Sequence, residues 1–174
     1  GFATAAGLLI SEQERCTGCR RCEALCTWAN DGKVHPYISR VKVGRNYNFG
    51  PEGPTRHFAE EKGQYGNHAI VADTCKQCED PVPCAEACPM GAIEAQEMTH
   101  TRVVNEDICI GCGMCSQACP WNVITVDPDD GKAKKCFLCD GQSVCAAMCP
   151  SGSLSIIPWK DVTAALPYRR HFRA

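Results

Sequence analysis

The stretch at residues 16–26, "CTGCRRCEALC", sets four cysteines two, two and three residues apart, and a near copy, "CIGCGMCSQACP", stands at residues 109–120. All sixteen cysteines of the 174-residue chain fall into four such groups. Group one is Cys16, Cys19, Cys22 and Cys26, and group two is Cys75, Cys78, Cys84 and Cys88. Group three is Cys109, Cys112, Cys115 and Cys119, and group four is Cys136, Cys139, Cys145 and Cys149. Groups one and three read C-x2-C-x2-C-x3-C; groups two and four read C-x2-C-x5-C-x3-C, the same plan with three residues inserted. Pro89, Pro120 and Pro150 follow the last cysteine of groups two, three and four, whereas Thr27 follows Cys26.

Three cysteines at this spacing let a tight loop wrap one face of an iron–sulfur cube, each thiolate reaching a different iron. The fourth lies one helical turn on and points to a neighbouring cube. The proline behind it stops the helix. A zinc site of four cysteines would instead use two C-x2-C pairs a dozen or more residues apart. Four groups supply thiolates for four [4Fe–4S] clusters with none left over, so the sixteen cysteines are the expected iron ligands.

Cysteine at this density admits a disulfide scaffold or thiolate-held metal. The opening "GFATAAGLLISEQER" has no basic n-region and no small-residue cleavage site, so the expectation is a soluble, cytoplasmic protein in a reducing compartment, with no membrane insertion. A net charge of −2 gives no reason to expect nucleic acid as a partner. Only 7% of residues are aromatic, too few for an ordinary core, and metal binding is expected to supply folding energy.

The segments between groups predict an α+β fold of two bacterial-type ferredoxin modules, one nested in the other. Residues 68–127 form the inner module. "HAIVAD" (68–73) enters group two as a strand, and "CPMGAIEA" (88–95) leaves it. "TRVVNED" (101–107) returns as hairpin partner, and "CPWNVITVD" (119–127) leaves group three. Residues 6–44 and 131–157 form the outer, split module: "AGLLIS" (6–11) enters it, "ISRVKVG" (38–44) and "GKAKKC" (131–136) are its hairpin arms, and "SLSII" (153–157) closes it. Under nesting the ligand sets cross. Cys16, Cys19 and Cys22 take Cys149; Cys136, Cys139 and Cys145 take Cys26. Cys75, Cys78 and Cys84 take Cys119; Cys109, Cys112 and Cys115 take Cys88. A tandem pairing, one with two and three with four, is the alternative; it fits less well because the segment between groups one and two is much longer than a hairpin.

Residues 44–67 hold Tyr47, Phe49, Phe58 and Tyr65 without clear periodicity and are a candidate docking surface. The tail, 158–174, adds Tyr168 and Phe172 beside Arg169, Arg170 and Arg173, with about two helical turns expected over 160–166 before Pro167. Trp28 and Trp121 are expected to shield clusters or to pack in the core. Arg15, Arg20, Arg21, Lys76, Lys134 and Lys135 flank the groups and are expected at the solvated surface. The five histidines show no ligand spacing. No G-x-G-x-x-G, no P-loop and no nucleophile–base pairing is present, so no catalytic residue is expected.

The order of the groups, the x5 insertions in groups two and four and the nesting resemble the four-cluster ferredoxin subunits of molybdopterin and tungstopterin oxidoreductases, the dimethyl sulfoxide reductase iron–sulfur subunit family. Within it, "CTGCRRCEALC" followed by "HPYISRVKV" (35–43) is similar to the small subunit accompanying tungsten aldehyde oxidoreductase. The resemblance implies a non-catalytic electron-transfer subunit with four [4Fe–4S] clusters and a catalytic molybdopterin or tungstopterin partner. It leaves room for a flavin- or NAD-linked subunit. A free, diffusible polyferredoxin serving several partners is the alternative; an isoelectric point near 6.2 with an aromatic loop and basic tail favours the fixed subunit.

Overall fold

The computed structural model describes residues 1–45 and 70–162. Its strands are short and pair two by two, all antiparallel. β1 (Gly7–Ser11) pairs with β8 (Leu154–Pro158), and β2 (Val41–Arg45) with β3 (Ile70–Thr74). β4 (Ile93–Ala95) pairs with β5 (Arg102–Val104), and β6 (Thr125–Val126) with β7 (Ala133–Lys134). Each pair joins consecutive cysteine groups, and β1·β8 closes the ring from group four back to group one.

The arms expected at 38–44 and 131–136 therefore do not pair with each other. β2 takes β3 and β7 takes β6. For β6·β7 the reason is local closure, since a short loop orders fewer residues than a long one; β2 and β3 close across residues 46–69, still less chain than separates β2 from β7. Between β6 and β7 the N–H of Asp127 donates to the Lys132 carbonyl (2.8 Å) and that of Gly131 to the Asp127 carbonyl (2.9 Å). Between β4 and β5 the same two bonds recur, from Gln96 to Thr101 (2.9 Å) and from His100 to Gln96 (2.9 Å). In both turns the residue in the left-handed region, His100 or Gly131, sits at the same place.

Four helices carry the third cysteine of each group. α1 (Arg21–Asp31) packs on α4 (Val144–Ala147), and α2 (Pro83–Glu86) packs on α3 (Met114–Ala118). Groups one and four thus share one helix pair and groups two and three the other. The third cysteine of every group, Cys22, Cys84, Cys115 or Cys145, is the second residue of its helix. The three inserted residues of groups two and four are absorbed ahead of the helix and leave that position unchanged. Where Cys-Pro follows, the helices have four, five and four residues; with Thr27 instead, α1 runs for eleven. It stops at Gly32, whose φ of 67° and N–H to the Trp28 carbonyl form a glycine C-terminal cap.

Two small cores result. One gathers Leu9, Val41, Val43, Ala72, Leu138 and Leu154 with Cys26, Cys75, Cys136 and Cys145. The other gathers Val82, Ile93, Ile124 and Ala133 with Cys84, Cys109 and Cys115. Each buried Val, Leu or Ile contributes about 1.5–3 kcal/mol, and there are few of them, so sulfur fills positions that hydrocarbon fills in other domains.

Several expectations change. Lys134 and Lys135 are each 3% exposed, so they are not solvated surface charges; Arg15, Arg20 and Arg21 are exposed. Lys134 is held by Glu106 (2.9 Å) and Asp130 (2.7 Å), which is what permits its burial. Trp28 stands 62% exposed on α1 and neither packs in a core nor lines the hollows described below. Of the docking segment 44–67 only Gly44 and Arg45 are described, and of the tail 158–174 only 158–162; their aromatic and basic residues, most of the helix expected at 160–166, and His57, His68 and His171 lie outside the described residues. Among the described residues no helix is long and apolar enough to cross a membrane.

Candidate metal centres

The C-x2-C loop of every group makes the same left-handed turn at the residue before its second cysteine: Gly18 (φ 70°), Gln77 (φ 48°), Gly111 (φ 67°) and Leu138 (φ 60°). Glycine adopts it freely in groups one and three. Gly111 has a second reason, since a Cβ there would lie 1.9 Å from the Gly131 carbonyl oxygen. In groups two and four the turn carries Gln77 and Leu138, 1% and 3% exposed, held by what surrounds them.

These loops and the following helices ring three hollows. Cys16, Cys19, Cys22 and Cys149 line one of about 320 Å³. Cys75, Cys78, Cys84 and Cys119 line one of about 300 Å³, together with Arg102, Trp121 and Lys135. Cys88, Cys109, Cys112 and Cys115 line one of about 280 Å³. Of the remaining four, Cys26, Cys136 and Cys145 share a core, and the Cys145 thiol feels both Cys26 and Cys139. Asn30, a turn beyond Cys26 on α1, directs its amide at the Cys139 sulfur (3.8 Å). Each hollow therefore takes three cysteines from one group and the fourth from another. Among the described residues no three His, Cys, Asp or Glu side chains converge closely enough for a single metal ion. Ligands of one zinc would all lie about 2.3 Å from it, whereas ligands of a cube bind separate irons and stand apart.

The donor chemistry fits such a group. Backbone N–H groups point at sulfur: Arg40 at Cys26 (3.4 Å), Gln77 at Cys75 (3.3 Å) and Ala92 at Cys88 (3.2 Å). Burial, then repulsion from Cys145, pushes the Cys22 thiol up to about 12. Burial also pushes Cys84 and Cys145 up to about 11 each and raises Cys136. Four thiolates so placed need positive charge among them, which an iron core supplies. Cys149 runs the other way: burial raises its thiol, but the Ser151 hydroxyl and the N–H groups of Leu154, Ser153 and Ser151 outweigh that and hold it below the usual range. Those hydrogen bonds favour the charged form of the Cys149 sulfur.

Other polar residues position these loops without any signal in their own type. Glu23, 3% exposed, accepts the Val43 N–H (2.7 Å) and ties α1 to β2. Arg40 forks onto Asp31 (2.5 and 3.0 Å) beneath group one. Gln77 donates to the Cys136 carbonyl (2.8 Å) and accepts the Arg102 N–H (2.8 Å), linking groups two and four. Only its place between two cysteines, where group three has glycine, could have marked it.

The sequence profile of the 4Fe–4S dicluster domain matches residues 67–158. The chain is 45% identical over 160 residues to the ferredoxin-like protein YdhY of Escherichia coli, covering 92% of this chain and 73% of that one. It is 35% identical over 141 residues to the polyferredoxin-like subunit of the aliphatic sulfonate oxidoreductase of Pyrococcus furiosus (81% and 70% covered). It is 32% identical over 154 residues to the thiosulfate reductase electron transfer subunit PhsB of Salmonella typhi (84% and 73% covered).

Proposed function

The chain belongs to the 4Fe–4S dicluster domain family, and from that premise we propose that it is an electron-transfer subunit carrying four [4Fe–4S] clusters for a catalytic molybdopterin or tungstopterin oxidoreductase subunit. The observation that carries this reading is that twelve of the sixteen cysteines line three hollows in fours, three from one group and one from another, while Cys26, Cys136 and Cys145 share a core. The ligand sets we propose are Cys16, Cys19, Cys22 and Cys149; Cys26, Cys136, Cys139 and Cys145; Cys75, Cys78, Cys84 and Cys119; and Cys88, Cys109, Cys112 and Cys115. The paired packing of α1 on α4 and α2 on α3 supports the nested plan at the level of ligands, although the strands pair sequentially.

When bound, each cluster takes up and passes on one electron. The protein's part is to fix the sets in sequence. The first two sets share α1 and α4, the last two share α2 and α3, and the Gln77–Cys136 bond joins the second to the third. Cys19 and Cys112, the exposed cysteines, belong to the first and last sets and mark where electrons enter and leave. The catalytic partner stands at one of these ends. The group-one motif and residues 35–43 support a tungsten aldehyde oxidoreductase in that role, while two relatives are named for sulfonate and thiosulfate chemistry. Docking is assigned to residues 44–67 and 158–174 on their aromatic and basic content.

Anaerobic purification from the native source tests this directly. The expected result is about sixteen irons and sixteen sulfides per chain, with a pterin-containing subunit copurifying and lost when 44–67 and 163–174 are both deleted. Half that iron, or stoichiometric zinc, refutes the four-cluster reading. Full iron with no bound catalytic subunit favours a diffusible carrier.

A further inference from the structure

Two cations lie inside this fold with no buried carboxylate paired to them among the described residues. Arg102 is 0% exposed and Lys135 3%, and both line the hollow of Cys75, Cys78, Cys84 and Cys119. Arg102 Nη1 donates to the carbonyls of Ala3 (2.8 Å) and His100 (2.6 Å), and Nη2 to that of Cys78 (2.7 Å). The Phe2 ring covers the guanidinium at 5.3 Å. Its Nε–H is buried with no partner. Lys135 Nζ donates to the carbonyls of Arg102 (2.8 Å) and Cys136 (3.5 Å). Among the described residues neither forms an ion pair; Asp80, the carboxylate acting on Arg102, is exposed and accepts the Phe2 N–H instead.

Burying a charge without a counter-charge costs several kcal/mol, and neutral carbonyls offset little of it. Apart from exposed Asp80, the negative charge that these two groups feel is that of the cysteines. Arg102 acts on Cys75, Cys78 and Cys84, and Lys135 on Cys84.

The other sets differ. The hollow of Cys88, Cys109, Cys112 and Cys115 is walled by Met90, Ile110 and Ala133, with no cation among the described residues that line it; Lys132, half-buried, is bonded to the Cys109 carbonyl (2.7 Å). At Cys16, Cys19, Cys22 and Cys149 the lining cation is Arg20, exposed and paired with Glu23 (3.3 Å). Beside Cys26, Arg40 is buried but neutralised by Asp31, and Lys135 meets that set at the Cys136 carbonyl (3.5 Å), a longer bond than its 2.8 Å bond to the Arg102 carbonyl.

We infer that Arg102 and Lys135 are potential-setting residues: they make the cluster held by Cys75, Cys78, Cys84 and Cys119 the most easily reduced of the four, so that an electron on the wire rests in the interior. The inference rests on the four-cluster reading. Reduction adds one electron, delivered by a neighbouring cluster or a chemical reductant, and moves no atom or proton. The added negative charge is favoured by two fixed positive charges in a medium of low effective dielectric constant.

The test is a dithionite titration of the anaerobically purified chain, followed by electron paramagnetic resonance and paired with iron analysis. In the parent protein one cluster is reduced ahead of the other three, and Cys78→Ser perturbs that same signal. Arg102→Gln and Lys135→Gln each weaken its reduction at least tenfold, a shift of about 59 mV to lower potential for one electron. Arg102→Lys, which keeps the charge, shifts it much less, and iron content is unchanged. If Arg102→Gln loses iron, Lys135→Gln and Arg102→Lys decide. An unmoved first signal, or four signals moving together, overturns the inference. Iron far below about sixteen per parent chain refutes the four-cluster reading instead.

Discussion

The loops of groups one and three sit at the ends of the proposed wire, and those of groups two and four meet at its centre. All four make the same turn, by different means. At the ends glycine makes it alone, at Gly18 and Gly111, and the following cysteine, Cys19 or Cys112, is exposed. At the centre Gln77 and Leu138 are driven into the left-handed region, which costs an L-residue about 1–2 kcal/mol. Two buried hydrogen bonds of the Gln77 side chain, one donated to the Cys136 carbonyl and one accepted from the Arg102 N–H, and the packing of Leu138 in a core offset that cost. The lesson is that identical local geometry is intrinsic to the loop at the ends and imposed by its neighbours at the centre.

The most severe way to test this division is to remove a ligand that crosses it. Cys26 lies on α1 beside the end set but groups with Cys136 and Cys145 in the interior. Cys26→Ser is expected to disrupt the cluster of Cys136, Cys139 and Cys145, with loss of up to about four irons, and to spare that of Cys16, Cys19 and Cys22. Site-resolved spectroscopy placing the damage on group two would restore the tandem pairing.

A steric test comes next. Gly111→Ala meets the Gly131 backbone, so strain of about 1–3 kcal/mol adds to the conformational cost. Gly113→Ala, also in the left-handed region but with open space around it, costs about 1–2 kcal/mol. Thermal melts of the two variants should differ in that order; equal losses would mean that conformation alone governs the end loop.

At the centre, Gln77→Leu leaves the Arg102 N–H without its partner and the Cys136 carbonyl with only the long Lys135 bond, and is expected to cost about 2–3 kcal/mol. Gln77→Gly should recover little, because the turn there is held by bonds rather than by backbone freedom. A glycine variant as stable as the parent would contradict the distinction between centre and ends.

The smallest effect concerns the β6–β7 turn. Burial raises the Asp127 carboxyl, but the Asp129 N–H and the Lys33 ammonium at 3.0 Å outweigh it and hold it below the usual carboxylate range. A depressed acid stabilises the fold above its unfolded value near 3.9 and loses that contribution as pH falls through the folded value. Asp127→Asn is therefore expected to lower the melting temperature modestly at neutral pH, with the gap to the parent closing as the solution is acidified below about 3.9. A gap constant with pH would assign the loss to packing.

Cysteine spacing and the residue behind each fourth cysteine determined most of the local design. The helix begins one residue before each third cysteine, ends early where proline follows the fourth, and runs on in α1 where Thr27 follows Cys26. These features need only neighbours a few residues away. Strand partners were not legible, because strands of two to five residues carry too little pattern to select a mate; β6·β7 was decided by local closure, and β2·β3 forms across the long segment 46–69. Nor were the interior charges. Arg102, Lys134 and Lys135 have residue types that belong at the surface, and only the folded chain brings them their partners. For Arg102 these include the Ala3 carbonyl, 99 positions away in the chain. A charge enters a low-dielectric interior only where something distant compensates it, and that condition is written in three dimensions rather than in the local sequence.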